Sequence, residues 1–425
     1  MSGSRIAPWL TESRWPTVPI RLVARLGSGH TPSRSKPEYW TDCTAPWITL
    51  ADVWQLRSGQ RNVITETKEK ISPLGLANSS AVLHPPETVI LSRTASVGFS
   101  AIMGTEMATS QDFATWTCGP RLEPRYLLHA LRGMAPDLRR IATGSTHKTI
   151  YMPDIEQLRI PLPPVRAQQR IADFLDSETA RIDQLSNLRQ KTFSRLIERE
   201  TAQLDIAIDA LISQAGTVPL RRFVWSVDQG TSPQCDSVPA SEDEWGVLKV
   251  SCLRPGVFNS EENKRLPDGI HPERGSEVHE GDLLIARANT PQLVGSTAVV
   301  RQVRRRLLLS DKIFRVRLAE GMSPDFVATV ARGSRIRSLS AAGSNGASQS
   351  MANIRFEEVK AWPMPAVGTA QQQDLVERVA RSRESLDALR PVVNRQLALL
   401  SERRQTLITA AVTGQFDVST ASGRK

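Results

Sequence analysis

The chain has 425 residues, is 40% hydrophobic and 23% charged, and carries a formal net charge of +10. That length supports two or three domains with cores of their own, and the apolar content is that of a folded chain, not a disordered one. No apolar run approaches the roughly 20 residues that cross a bilayer, Met1 to Leu10 lacks a charged-then-apolar signal pattern, and a cytoplasmic location is expected. The first predicted element is a short strand in VPIRL from Val18, followed by the Gly-rich turn GSGHTPSR. Apolar or alternating runs around Ile48 and Ile90, bounded by Gly, Pro or Asn, predict further strands. RYLLHALRGM from Arg125 follows a proline and has apolar spacings of three and four, which predicts a short helix closed by Gly133. A polar Gly/Ser loop, TGSTHKT, then leads to a strand that stops at Pro161 to Pro164.

From Ala167 to about Ile212 there is no Gly or Pro, and Ile171, Leu175, Ile182, Leu185 and Leu196 predict one face of a long helix. The same series then begins again. VPLRR at Val218 repeats VPIRL, DLLIARANTP from Asp282 repeats TVILSRTASVG from Thr88, and DFVATVARGS from Asp325 repeats the helix, closed by Gly333. GSNGASQS from Gly343 repeats the polar loop, and AQQQ at Ala370 repeats AQQR at Ala167. These matches keep their order at nearly constant offset, which is the signature of an internal duplication. In the second copy Val379, Leu386, Val393, Leu400 and Leu407 recur every seven residues, as a coiled-coil seam requires. Pro391 should kink or split that helix.

The expected fold is therefore α+β. It has a first globular domain over 1–165, a helical spacer over 166–216, a second domain over 217–366, and a second spacer with C-terminal tail over 367–425. A long helix with one apolar stripe needs a partner, and the simplest is the other copy. The two helices are then expected to form an antiparallel coiled coil that holds two globules apart about a pseudo-twofold axis. TLITAAVTGQF at Thr406 is expected to dock on a partner or on the first globule.

Catalytic signatures are missing. There is no P-loop, no G-x-S-x-G elbow, no H-E-x-x-H and no G-x-G-x-x-G turn. Six histidines without partner spacing give no metal site, and Cys43, Cys118, Cys235 and Cys252 show no C-x-x-C pairing, so neither zinc nor a disulfide framework is expected. The basic excess suits nucleic acid, because neutralising phosphates releases counterions.

Three stretches carry a resemblance: GHTPSRSKPEYWTDCTAPWITLADV from Gly29, GSTHKTIYMPDIEQLRIPLPPVRAQQRIADFLDSETARIDQL from Gly144, and ERRQTLITAAVTGQFDV from Glu402. Over nearly its full length the chain resembles the specificity subunits of type I restriction–modification systems. The resemblance implies two target recognition domains, each reading half of a split, asymmetric site in double-stranded DNA. It implies helical spacers that set the half-site separation and dock two methylation subunits, and possibly restriction subunits. No catalysis and no cofactor are then expected on this chain, with S-adenosylmethionine, and ATP with Mg²⁺, on the partners. The other readings are a free-standing bipartite DNA-binding regulator and an interaction scaffold without DNA contact. The second copy departs from the pattern at WPMPAVGTAQQQ and at Thr231-Ser232-Pro233, which no Tyr-Trp follows.

Arg93, with Thr94, and Arg287, with Asn289, follow apolar strands at matching positions. Arginine can grip guanine O6 and N7 or a phosphate, and asparagine can pair with adenine. Ser145, Thr146 and Lys148 in the first polar loop, and Ser344, Asn345 and Gln349 in the second, offer donors to phosphate or groove. Arg304, in the basic run RQVRRR, could flank a groove. Trp40, Trp47 and Trp54 read as packing residues more than as base-stacking ones.

Overall fold

The computed structural model describes residues 8–144, 148–348 and 351–421. It divides into two compact units, one of residues 1–190 with 393–425 and one of residues 191–392. In the first unit β1 (Thr17–Pro19) pairs antiparallel with β10 (Arg159–Pro161), so VPIRL is tied to the Pro-rich stop. Between them lie β2 (Ala24–Ser28), β3 (Ala45–Ile48), β4 (Val63–Ile64), β5 (Glu69–Ile71), α1 (Pro73–Ala77), β6 (Val89–Ser92), β7 (Ser100–Met103), β8 (Ala108–Thr109) and β9 (Phe113–Cys118). Three helices follow, α2 (Pro124–Gly133), α3 (Ala135–Ile141) and α4 (Met152–Glu156). The strands form a five-stranded sheet in the order β2-β9-β6-β7-β4 and a three-stranded sheet β5-β3-β8. β6 and β7 are buried along their whole length, as their near-continuous apolar sequences demand. Gly133 is the last residue of α2 and does not take a left-handed conformation; Met134 ends the helix instead. α5 (Val165–Ala215) follows as one helix of 51 residues, stopped at Gly216, whose φ is 74°. Its lack of internal Gly and Pro lets the backbone bonds run unbroken.

The second unit repeats this plan. β11 (Thr217–Pro219), β12 (Val224–Gln229), β13 (Gly246–Leu248), β14 (Leu253–Arg254), β15 (Val257–Phe258), β16 (Asn263–Arg265), β17 (Leu283–Ala286), β18 (Ala288–Asn289), β19 (Thr297–Val299), β20 (Leu307–Leu308) and β21 (Ile313–Leu318) come first. Then come α6 (Pro324–Val330), α7 (Ser334–Ala342), β22 (Asn345–Ser348), β23 (Met351–Asn353), α8 (Phe356–Lys360) and β24 (Pro363–Pro365). The orders β16-β13-β20 and β11-β24 match those of the first unit, and β12-β21-β17-β19 matches its larger sheet without a counterpart of β4, while β14-β15 and β18-β23-β22 are additional. Gly343 to Ser350 is not the expected loop throughout, because Asn345–Ser348 is a strand paired with β23. Gly333 precedes α7 as its N-cap and does not close α6. The last long element, α9 (Thr369–Thr413), has 45 residues and is a single helix through Pro391, so the proline does not split it.

Within the first unit, Asp183 meets Arg404 at 3.4 Å and Phe174 stacks on Phe416 at 5.4 Å, so the early part of α5 and the late part of the chain run antiparallel. Within the second, Gln371 bonds Gln214 at 3.3 Å and Arg390 lies over Phe193, again antiparallel. Ile408, Ala411 and Val412 pack into the first unit's core, so TLITAAVTGQF docks on the first globule. Ile171 and Leu175 join that same core, while Val379 joins the core of the second unit. Leu386, Val393, Leu400 and Leu407 are half-buried on α9.

Leu185 is off the seam, at 49% exposure. The buried stripe is Ile171, Leu175, Thr179 and Ile182, continuing to the half-buried Ser186. The hydroxyls of Thr179 and Ser186 donate to the carbonyls of Leu175 and Ile182, which satisfies them inside the helix. A reading of apolar spacing alone passes over such positions.

Buried polar bonds fix how the two copies correspond. Gln168, fully buried, accepts from the Glu123 N–H and donates to the Arg121 and Pro163 carbonyls, at 2.8–2.9 Å. Gln372 accepts from the Ser323 N–H and donates to the Gly321 and Val367 carbonyls, at 2.8–3.1 Å. The written match of AQQR with AQQQ is therefore one residue out of step. Gln168 corresponds to Gln372, as the helix starts at Val165 and Thr369 require.

Candidate nucleic-acid interface

Each unit carries one node at the end of its central strand. In the first, the Arg93 N–H donates to the Asp112 carbonyl and the Arg93 carbonyl accepts from the Ile150 N–H, both at 2.8 Å. In the second, the Arg287 N–H donates to the Lys312 carbonyl at 2.8 Å and its carbonyl accepts from the Ile354 N–H at 2.9 Å. The sequence correspondence of the two arginines is thus a structural one. Both side chains are half-buried. Arg287 Nη1 donates to the Asp311 carbonyl at 3.0 Å, and Arg93 Nη1 lies 3.4 Å from the Ile150 carbonyl. Each guanidinium is held by one terminal nitrogen. Arg93 Nε is buried without a partner.

The glycine turns lie under these nodes. A Cβ on Gly29 would sit 1.7 Å from the Thr109 carbonyl oxygen, and one on Gly230 would sit 1.9 Å from that of Leu309. Only glycine permits so close a backbone approach. It lets Thr31 Oγ1 donate to Gln111 Oε1 at 2.7 Å, and it brings Ser232 onto the Asp311 carboxylate. Asp112, next to Gln111, in turn holds Arg93, and Asp311 with Lys312 holds Arg287. The Gly-x-Thr/Ser-Pro turns are braces for the node.

Beside Arg93, Thr94 bridges Thr149, which also bridges Thr143, and the Ala95 N–H donates to the Lys148 carbonyl at 2.8 Å. Lys148 itself is exposed. Beside Arg287, β18 pairs with β23, with Ala288 opposite Asn353 and Asn289 opposite Ala352. Asn289, half-buried, accepts at Oδ1 from the Thr290 N–H at 2.9 Å. Ser344 Oγ donates to the Ala341 carbonyl at 2.7 Å. Ser145, Thr146 and Gln349 lie outside the described residues, and of Asn345 only the backbone, in β22, is described.

Arg304 lies apart from the node. Its guanidinium donates to the Glu244, Arg305 and Ala240 carbonyls at 3.0–3.3 Å, a strap across the 240–245 segment, and burial lowers its pKa. Of the three tryptophans, Trp47 is buried and packs against Trp40 at 5.3 Å, as expected, but Trp54 is 66% exposed. Sequence reasoning missed Tyr151 and Arg355, which follow Ile150 and Ile354 and stand exposed beside the two arginines. The signal was the repeated Ile before them. One copy presents an aromatic ring where the other presents a guanidinium.

Among the described residues no cluster of His, Cys, Asp or Glu could hold a metal, and no helix is long and apolar enough to cross a membrane. All four cysteines are free, and burial pushes the Cys118 and Cys252 thiols up to about 12, which keeps them protonated at neutral pH.

Comparison with known proteins follows this architecture. Residues 12–192 match the family described as type I restriction modification DNA specificity domain. The specificity subunit of the type I restriction enzyme EcoEI from Escherichia coli is 31% identical over 159 residues, 37% of this chain and 27% of that protein. The EcoR124I/EcoR124II specificity subunit, also from Escherichia coli, is 25% identical over 208 residues, 48% of each chain. The matches thus span about a quarter to a half of these relatives' own length. A chain from a structural study of complex assembly and conformational transition in the type I R-M system shares the fold at a TM-score of 0.65. The two are 16% identical, with 95% of this chain and 98% of that one covered.

Proposed function

We propose that this chain, whose residues 12–192 match the type I restriction modification DNA specificity domain, is a specificity subunit of that family and reads a bipartite, asymmetric DNA site. Each unit reads one half of that site. The observation that carries this reading is the duplicated node. Two units of one plan fix an arginine by the same backbone bonds, yet surround it with different side chains. Two copies of one reader on one chain recognise two half-sites, as dimeric binders do, and unlike surroundings make the halves unlike. Arg93 and Arg287, each held by one terminal nitrogen, keep donors for a base edge or a phosphate. Thr94, Lys148 and Tyr151 serve the first half-site, and Asn289 and Arg355 the second.

In this reading the chain does no chemistry. Two methylation subunits dock on the long helices and supply S-adenosylmethionine, and restriction subunits, where present, supply ATP with Mg²⁺. The assembly works in the cytoplasm, where the DNA is. Co-expression with the cognate methylation subunits followed by methylome sequencing is expected to give adenine methylation at one split, asymmetric motif. Absence of such a motif with competent partners refutes the proposal.

A further inference from the structure

The second unit holds a cavity of about 1080 Å³ between the β14–β15 turn, α6 and α9. Arg254, Arg301, Arg332, Arg383 and Arg390 line it, against Asp325 and Asp387. Arg332 is further paired with Glu200 at 2.6 Å, and Arg301 with Asp325. Arg383 meets Asp387 at 3.4 Å, so five guanidiniums face three carboxylates and the excess of two positive charges lies on the exposed Arg254 and Arg390 at the cavity's mouth. Arg332 and Arg383 show only 12% and 25% of their side chains. Burial, and after it the neighbouring Arg332, lower the Arg383 pKa.

The first unit shows what is missing. With Gln168 set opposite Gln372, Asp176 corresponds to Ala380, Thr179 to Arg383, Asp183 to Asp387 and Ser186 to Arg390. In the first unit Asp176 is the hub of a closed network. It accepts from Asn62 Nδ2 at 3.0 Å, from Arg125 Nη1 at 3.2 Å and from His129 Nε2 at 2.9 Å, while Arg132 reaches Asn62 at 2.6 Å. In the second unit Ala380 stands at that place, Asp325 replaces Arg125 on the facing helix and is taken up by Arg301, and two guanidiniums have been added on the face of α9. The turn at Gly256 touches Arg383 but does not fill the space.

We propose that this cavity binds an acidic protein segment, whose Asp or Glu side chain takes the place that Asp176 holds in the first unit. The occupant is a protein carboxylate and not the phosphates of the recognised DNA. Val299, in the lining, pairs with Leu283 at the start of β17, whereas Arg287 follows the end of that strand. The cavity and the node therefore sit at opposite ends of β17. Arginines that ring the mouth of a recess and are backed by the half-buried Arg383 suit an inserted carboxylate side chain, which they can grip in a bidentate manner.

The test uses the full chain and fluorescein-labelled hexaglutamate, followed by anisotropy. Saturable binding is expected, weakened at least tenfold by Arg383→Gln. Ala380→Glu, an exposed helix position one turn before Arg383, supplies an internal carboxylate and is expected to weaken it equally without disturbing the fold. Binding of the cognate duplex should be unchanged by both variants. Hexaglutamate affinity unaltered by either variant overturns the proposal. So does duplex affinity that falls with the peptide's, which assigns the cavity to nucleic acid, or displacement of the peptide by equimolar inorganic phosphate, which assigns it to a small anion. Failure of the methylome experiment leaves the peptide and phosphate outcomes untouched, because neither needs the recognised sequence or methylation.

Discussion

The two units solve one packing problem with the same backbone and different charges. Where the first closes the space beside its long helix with Asp176, Asn62, Arg125 and His129, the second leaves an arginine-lined cavity. Where the first buries Thr115 near His84, the second buries Arg315, held by Asp228, Asp282 and the Glu277 and Gly275 carbonyls. The shared positions are those where geometry leaves no choice: the strand pairings, the close-approach glycines, and Gln168 with Gln372. The frame is the same in both units, and the charges that it carries differ.

That comparison breaks first at the glycines. Gly29→Ala and Gly230→Ala each drive a Cβ into a backbone carbonyl that cannot move without parting two strands. Each is expected to cost about 3 kcal/mol or more, and differential scanning calorimetry should show the loss in the mutated unit. A large loss in one unit and a mild one in the other would mean that the brace is not shared. Next come the glutamines. Gln168→Ala and Gln372→Ala each strand one buried N–H and two carbonyls, a loss of about 2–3 kcal/mol apiece by urea unfolding. Similar values for the two would sharpen the comparison, and a twofold difference would weaken it.

Asp176→Ala makes the first unit resemble the second at one position. It strips Asn62 Nδ2 and His129 Nε2 of their acceptor, while Arg125 keeps Asp173 and Glu123, and should cost about 1–3 kcal/mol, with no change expected from Ala380→Ser. The same network gives the first unit a pH dependence that the second lacks, since Thr329 replaces His129. Burial holds the His129 pKa below its ordinary value, so the folded unit resists the proton that the unfolded chain accepts. Its contribution is present above about pH 6.5 and is lost as pH falls toward the lowered folded value. Asp176, kept below the usual carboxylate range by His129 and Arg125, adds a loss at still lower pH. Unfolding of the first unit between pH 7 and 5 should show this slope, and His129→Thr should flatten it. The smallest effect is at Leu185, where Leu185→Ser should stay within about 0.5 kcal/mol against about 2–4 kcal/mol for Ile182→Ala.

Much of this architecture was legible in the sequence because it was written twice. A strand that reads VPIRL and VPLRR, a Gly-Pro-free stretch of over forty residues, and an arginine after each apolar strand all survive as spacing and composition. The misreadings share one cause. Leu185 counted as seam because apolar spacing cannot see that Thr179 and Ser186 satisfy their own hydroxyls and take inward positions. AQQR and AQQQ aligned by letters, but a buried glutamine is defined by its three partners, and those lie one residue later. Trp54 counted as packing because a tryptophan's residue type says nothing about which side of a short helix it occupies.

By itself the sequence determined the duplication, the α+β units, the two long helices and the paired arginines, since each depends on local pattern or on repetition. Tertiary structure alone decided that the Gly-x-Thr/Ser-Pro turns brace those arginines, and that Tyr151 and Arg355 stand beside them. It also decided that one copy closes a space the other leaves open. Those outcomes depend on contacts between residues tens to hundreds of positions apart, where the energy of a side chain is set by the partners it meets and not by its neighbours in the chain.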